Sequence, residues 1–176
     1  GYGEGFDLEA APTRLQALIM FIRVLGEDEQ ALAWSGTTPF KDIEKGSPAE
    51  HYVGYAYEKG YTNGYTATSF KPAGAVNAYQ YTEFVLRAMG YSSAANKNLS
   101  DTLLRAVNAG VLTDGDATML QSATFLRAQL VYISYYALES DLPDGGRSLA
   151  DRLMDLGVFT RDEWRDSWKL VKSERL

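Results

Sequence analysis

The 176-residue chain has no cysteine, so neither a disulfide framework nor a thiolate metal site is open to it, and cysteine usage says nothing about its compartment. It has a single histidine, His51, which excludes a histidine triad, a paired-histidine zinc site or a Ser-His-Asp relay within the chain. His51 is expected to be a solvated helix residue. No apolar run approaches the ~20 residues needed to cross a bilayer. The longest candidate, 15–25, is interrupted by Gln16 and Arg23, so membrane insertion is not expected. Positive charge is in deficit: 17 Lys and Arg against 23 Asp and Glu leave a net charge of −6. Such a field repels a phosphate backbone, and no nucleic-acid partner is expected. An opening on Gly1 rather than methionine reads as a processed or truncated product, so the lack of a signal peptide does not exclude secretion.

What is present is enough apolar sequence, 45%, to build the core of one compact unit or a few packed repeats. Internal repeats organise it. With Gly26 aligned on Gly90, an offset of 64, the segment from Thr13 to Gly26 falls on Asn77 to Gly90, matching Gln16 with Gln80 and Arg23 with Arg87. A third copy begins at Leu126, where an offset of 113 places Arg127 on Arg14 and Gln129 on Gln16. Unequal offsets imply connecting loops of different length. The chain therefore divides into approximate repeats 1–38, 39–95 and 96–140 and a C-terminal half-repeat 141–176, within one module spanning 1–176.

Each copy carries a helical pattern. Leu15, Leu18, Ile19, Ile22 and Leu25 form an i, i+3, i+4, i+7 stripe that Met20, Phe21 and Val24 widen, which predicts a mostly buried helix. Tyr81, Phe84, Val85, Ala88 and Met89 do the same in the second copy, and Leu130, Ile133, Tyr136 and Ala137 in the third. Thr13-x-x-Gln16 and Asn77-x-x-Gln80 are capping boxes. The third start is less regular, with Leu126 at the cap and Thr124 as a substitute. Further helices are expected at 49–59, closed by Gly60, at 99–109, closed by Gly110, and at 148–156, closed by Gly157. The prediction is an all-α fold of three helical pairs whose buried helices meet at a common axis. The last segment, 148–156, is expected to lie beside the Thr13 helix and close the ring with the N-terminal half-repeat.

Three short elements connect these helices to a known family. Phe40-Lys41-Asp42-Ile43, Gly60-Tyr61-Thr62-Asn63-Gly64 and Phe70-Lys71-Pro72 occur in that order, and Thr13-Arg14-Leu15-Gln16 and Leu126-Arg127-Ala128-Gln129 stand at helix openings. The sequence resembles the S-layer homology repeats, whose pattern runs Phe-x-Asp-Val, Trp-Ala, Gly-x-x-x-Gly, Phe-x-Pro and Thr-Arg-Ala-Glu, over roughly residues 6 to 160. The middle repeat alone carries the whole order. It departs from the family where Pro48-Ala49 replaces Trp-Ala, and the motif Glu is Gln in all three copies. The resemblance implies a pseudo-threefold helical bundle, extracellular and wall-associated. Such a bundle binds acidic, pyruvylated cell-wall polysaccharide in grooves between repeats and so tethers a fused or associated surface cargo. It also implies that Arg14 and Arg127 contact the acidic sugar, whereas Ala78 leaves the second position without a cation.

The residues give their own reading of the site. A guanidinium can grip a carboxylate bidentately, and a helix N-terminus offers free amides and a positive dipole end, so Arg14 and Arg127 suit an anion. The alternative is a first-turn arginine covering a neighbouring repeat with its stem. Asp42 suits either sugar hydroxyls or a turn. Asn63 and Gly64 allow close backbone approach and are also a turn signal. Among the 12 tyrosines, Tyr52 and Tyr57 are assigned to the core, and Tyr55, Tyr61 and Tyr65 to a sugar-binding groove. Asp114-Gly115-Asp116 lacks the spacing of a calcium loop and reads as a turn. A glycosidase would need two carboxylates facing one cleft. Most of the acidic residues are assigned to solvated faces, and neither catalysis, a cofactor nor a metal is expected. The other reading that stands beside polysaccharide anchoring is a structural or protein-interaction module that keeps the repeat fold without binding glycan.

Overall fold

The computed structural model describes residues 7–91 and 99–170, the side chains of 168–170 excepted. The portions of the expected repeats at 1–6, 92–98 and 171–176 lie outside the described residues. The described fold is all-α, with nine helices: α1 Arg14–Val24, α2 Asp28–Leu32, α3 Pro48–Glu58, α4 Ala78–Met89, α5 Thr102–Asn108, α6 Asp114–Ser122, α7 Arg127–Glu139, α8 Leu149–Asp155 and α9 Arg161–Leu170. A single 3-10 turn, Leu99–Asp101, leads into α5. Among the described residues β structure is confined to isolated bridges, one of which joins Thr13 to Ala75.

The three helices with matching sequences form the centre, and α1, α4 and α7 each touch the other two. Their apolar stripes explain this. Leu18, Phe21 and Ile22 of α1, Tyr81, Val85 and Leu86 of α4, and Leu130 and Ile133 of α7 are all essentially fully buried. Phe21 meets Tyr81 edge-on at 6.0 Å, the arrangement favoured by opposed ring quadrupoles. The Tyr81 hydroxyl reaches the Ser134 hydroxyl at 2.6 Å, which satisfies a buried phenol and ties α4 to α7. The other helices pack outside this trio. α3 lies on α1 and α2, α5 on α4 and α6, and α8 on α7. α3, α5 and α8 thus each join the central helix that precedes them in the chain. The segment 148–156, expected beside α1, makes its main contact with α7. It reaches the first repeat just beyond its end, where Val158 lies over Gly26.

Local chemistry sets the starts. The α1 and α4 capping boxes are complete. At α7 only the returning half exists, because the Leu126 amide donates to Gln129 Oε1 at 2.9 Å while leucine has no acceptor to offer. Two sequence expectations are corrected. Asp114-Gly115-Asp116 opens α6 rather than forming a turn: the Thr113 hydroxyl accepts from the Asp116 amide at 3.1 Å, and the Thr113 amide donates to Asp116 Oδ2 at 2.7 Å. His51 is half-buried, its Nδ1 lying 2.5 Å from the Trp34 carbonyl. Trp34 itself fills the face of α3 left open by Gly54 and donates to Glu58 at 2.8 Å.

The helix openings are closed by loops from elsewhere in the chain. The Arg14 and Leu15 amides donate to the carbonyls of Gly74 and Pro72 at 2.8 and 3.1 Å, from the loop that precedes α4. The Arg127 and Ala128 amides donate to Ala10 and Leu8, each at 3.0 Å, from the loop that precedes α1. Each loop therefore completes the opening of a helix other than the one it leads into.

Candidate functional site

A groove of about 520 Å³ opens where the start of α1, the loop 61–67 and one side of α4 meet, a volume suited to a small molecule or a few sugar residues. Its lining brings together Arg14, Tyr61, Asn63, Gly64 and Tyr65, which the sequence singled out. It adds Gln80, Glu83, Phe84 and Arg87 of α4, which the sequence does not assign to a site. Gln80 belongs to a capping box, Arg87 to the repeat match with Arg23 and Phe84 to the helix stripe, where its ring is buried, while Glu83 carries no motif.

Arg14 stands at the centre. Only 5% of the residue is exposed, and its guanidinium lies 4.9 Å from the ring centroids of both Phe70 and Phe84. This double cation–π contact compensates part of the lost hydration. One terminal nitrogen donates to the Gly64 carbonyl at 3.1 Å and, more weakly, to the Thr62 hydroxyl at 3.5 Å. Nε is buried without a partner, and no carboxylate among the described residues pairs with the charge. Burial pushes the Arg14 guanidinium down to about 10, against the pull of the nearby Tyr65 phenol. A buried cation lining a groove without a carboxylate partner has the chemistry to accept an anion. The helix terminus adds less than the sequence suggested. The first amides of α1 are taken by Gly74, Pro72 and Thr13, so the side chain alone is left to meet an anion.

The loop beneath Arg14 depends on Gly64, which adopts φ +84. A Cβ there would lie 2.3 Å from Phe40 Cε1 and 2.6 Å from the Thr66 carbonyl oxygen, so a side chain is excluded by space as well as by conformation. The close approach foreseen at Gly64 is made by the protein's own Phe40. Asn63 is exposed on the lining. Tyr61 is buried, donates to both oxygens of Glu27 at 2.9 and 3.0 Å, and presents part of its ring to the groove. Burial and the Glu27 charge push its phenol strongly up. Tyr65 is half-exposed on the rim.

The remaining candidates lie elsewhere. Tyr55 is buried beside Glu27 and Lys59 and does not line the groove, while Tyr57, assigned to the core, is 42% exposed and edges onto Phe40. Burial and exposure are exchanged between the two because α3 turns its Tyr55 face inward, and neither lines the groove. Asp42 also lies off the lining. Its carboxylate accepts from the Ser69 hydroxyl and from the Phe70 and Lys71 amides at 2.7, 2.9 and 2.8 Å, fixing the turn that carries Phe70 under Arg14. Arg127 is half-buried at the start of α7, away from this groove, with an unpartnered Nε. Among the described residues no group of three His, Cys, Asp or Glu side chains is placed to hold a metal ion, and no helix is long and apolar enough to cross a membrane.

No curated protein matches the chain. Residues 39–77, from the Phe40 element through the loop under Arg14 to the Asn77 cap, match the family model of the S-layer homology domain. Over these residues the chain is similar to that domain, a kind that in general serves as a non-catalytic module anchoring proteins at the cell surface.

Proposed function

We propose that the chain is a three-repeat module of pseudo-threefold design that anchors a secreted protein non-covalently to the cell wall by binding an acidic, pyruvylated polysaccharide, with Arg14 as the residue that grips the acid. One observation carries this reading: the Arg14 guanidinium lines a groove, is buried, and has no carboxylate partner among the described residues. Phe70 and Phe84 hold the guanidinium in place, one terminal nitrogen is bonded to Gly64 and Thr62, and a carboxylate would be met by the remaining N–H groups. Asn63, Gly64, Tyr61 and Tyr65 supply polar and aromatic walls. Arg127 is a second candidate contact at another helix start, while Asp42 supports the loop and Tyr55 the core beneath it.

A second reading, a structural module without glycan, is favoured by the bonds from Arg14 to Gly64 and Thr62, which could be its whole purpose. Calorimetric titration of purified wall polysaccharide, before and after mild-acid removal of pyruvate, separates the two. Under the anchoring reading the parent protein binds the pyruvylated form, and Arg14→Ala weakens binding about tenfold or more, the worth of a charge-assisted bidentate contact. Equal binding by a folded Arg14→Ala protein makes the arginine a packing residue and leaves the structural reading.

A further inference from the structure

Against Tyr65, at the edge of the groove, stands a second cation held in an unusual way. Lys71 is the single non-glycine residue with positive φ among the described residues, at +58, a conformation that costs a side-chain-bearing residue some stability. The surroundings enforce it. Asp42 takes the Lys71 amide, and the Lys71 carbonyl accepts from the Gly74 amide at 3.1 Å. The result brings the Lys71 ammonium 3.7 Å from the centre of the Tyr65 ring, and Tyr65 forms the groove rim with its phenol near enough to Arg14 to favour the charged guanidinium. Lys71 is exposed and has no carboxylate partner among the described residues. Adjacent residues of one turn thus serve two cations: Phe70 lies under Arg14, and Lys71 lies over Tyr65.

We infer that the groove is a two-cation clamp, with Arg14 in its lining and Lys71 just outside the lining on the Tyr65 ring, and that it takes a saccharide bearing two anionic groups rather than one. This inference rests on the anchoring reading above. The inner acid meets the buried guanidinium. The ammonium leaves the Tyr65 face to meet the second acid, and a sugar ring takes its place on the aromatic surface. A lysine suits the rim because its charge sits on a flexible stem and can move between the ring and the ligand.

The test uses two probes: a hexose methyl glycoside carrying one pyruvate ketal, and a disaccharide in which the same ketal sugar is joined to a glucuronate. Each is titrated by calorimetry into the whole chain and into Lys71→Gln and Lys71→Gly. The glycine variant removes the ammonium while suiting the positive φ, so loss of binding there is not a folding defect. The parent should bind the dianionic probe about three- to fivefold more tightly than the monoanionic one, as expected for an exposed ion pair. Both variants should bind the two probes equally and keep the parent's affinity for the single ketal. An unchanged preference in both variants overturns the clamp and leaves the Arg14 reading standing. Failure of the parent to bind either probe overturns both.

Discussion

At the scale of single residues, Arg14 should trade stability for binding. A cation whose pKa falls from 12.5 to about 10 on folding is compensated only in part for its desolvation, by the two rings and the bonds to Gly64 and Thr62, until an anion arrives. Because the folded pKa is lowered, this penalty is present at every pH below about 10 and fades only as pH rises toward the ordinary arginine value. Arg14→Met keeps the stem between Phe70 and Phe84 and removes the charge. Its thermal midpoint should equal or exceed the parent's, the lost bonds to Gly64 and Thr62 being offset, while polysaccharide binding disappears. A midpoint lowered by several degrees would show that the guanidinium stabilises the free protein. Asp42 behaves in the opposite sense. Burial pushes its carboxyl up, but the donors at Phe70, Ser69 and Lys71 outweigh this and hold it below the usual carboxylate range. Its stabilising effect is therefore complete above the unfolded pKa and is lost as pH falls through the lower folded value. Asp42→Ala should cost about 1–2 kcal/mol at pH 7, with the gap to the parent narrowing as denaturation is repeated below pH 4. A gap that stays constant with pH would mean the carboxylate is not the stabilising group.

At the scale of elements, the packing of Trp34 on α3 makes a prediction against helix propensity. Alanine at position 54 should favour the helix by about 1 kcal/mol over glycine, yet its Cβ would lie 2.1 Å from the Trp34 ring. Gly54→Ala should therefore destabilise the parent by about 1–2 kcal/mol and stabilise a Trp34→Ala background. The same sign in both backgrounds, measured by urea denaturation, would show that the ring does not constrain α3. The elements differ in how openly the sequence displays them. α1, α4 and α7 are legible because wide apolar stripes coincide with capping residues. α2 is too short to show a period, α6 hides behind an Asp-Gly-Asp that resembles a turn, and α9 is mostly polar. The groove is legible on the side where motif and turn chemistry coincide, at Arg14 and 61–65. Its α4 wall is not, because a helix stripe assigns Phe84 to the core and says nothing about which polar flank will face another repeat. The exchange of Tyr55 and Tyr57 has the same origin, since a rotation of α3 of less than one residue's turn decides between them.

At the scale of the whole molecule, the loops that complete other helices' openings bind the parts into one unit. Residues 39–77 include α3 and the loop carrying Phe70, but neither α1, whose amides that loop accepts, nor α4. The isolated 39–77 peptide should therefore show no cooperative helical melt by circular dichroism, whereas the intact chain should. A folded, cooperatively melting peptide would show that the match is a self-sufficient domain. The same arrangement bears on how an anchor carries a load. If the chain bears load as an anchor, tension entering from the N-terminal side would reach the two hydrogen bonds that hold Leu8 and Ala10 to the start of α7 a few residues before it reaches Thr13 and Arg14. Those bonds would open first, as a mechanical fuse, ahead of the bridge from Thr13 to Ala75 and the grip around Arg14.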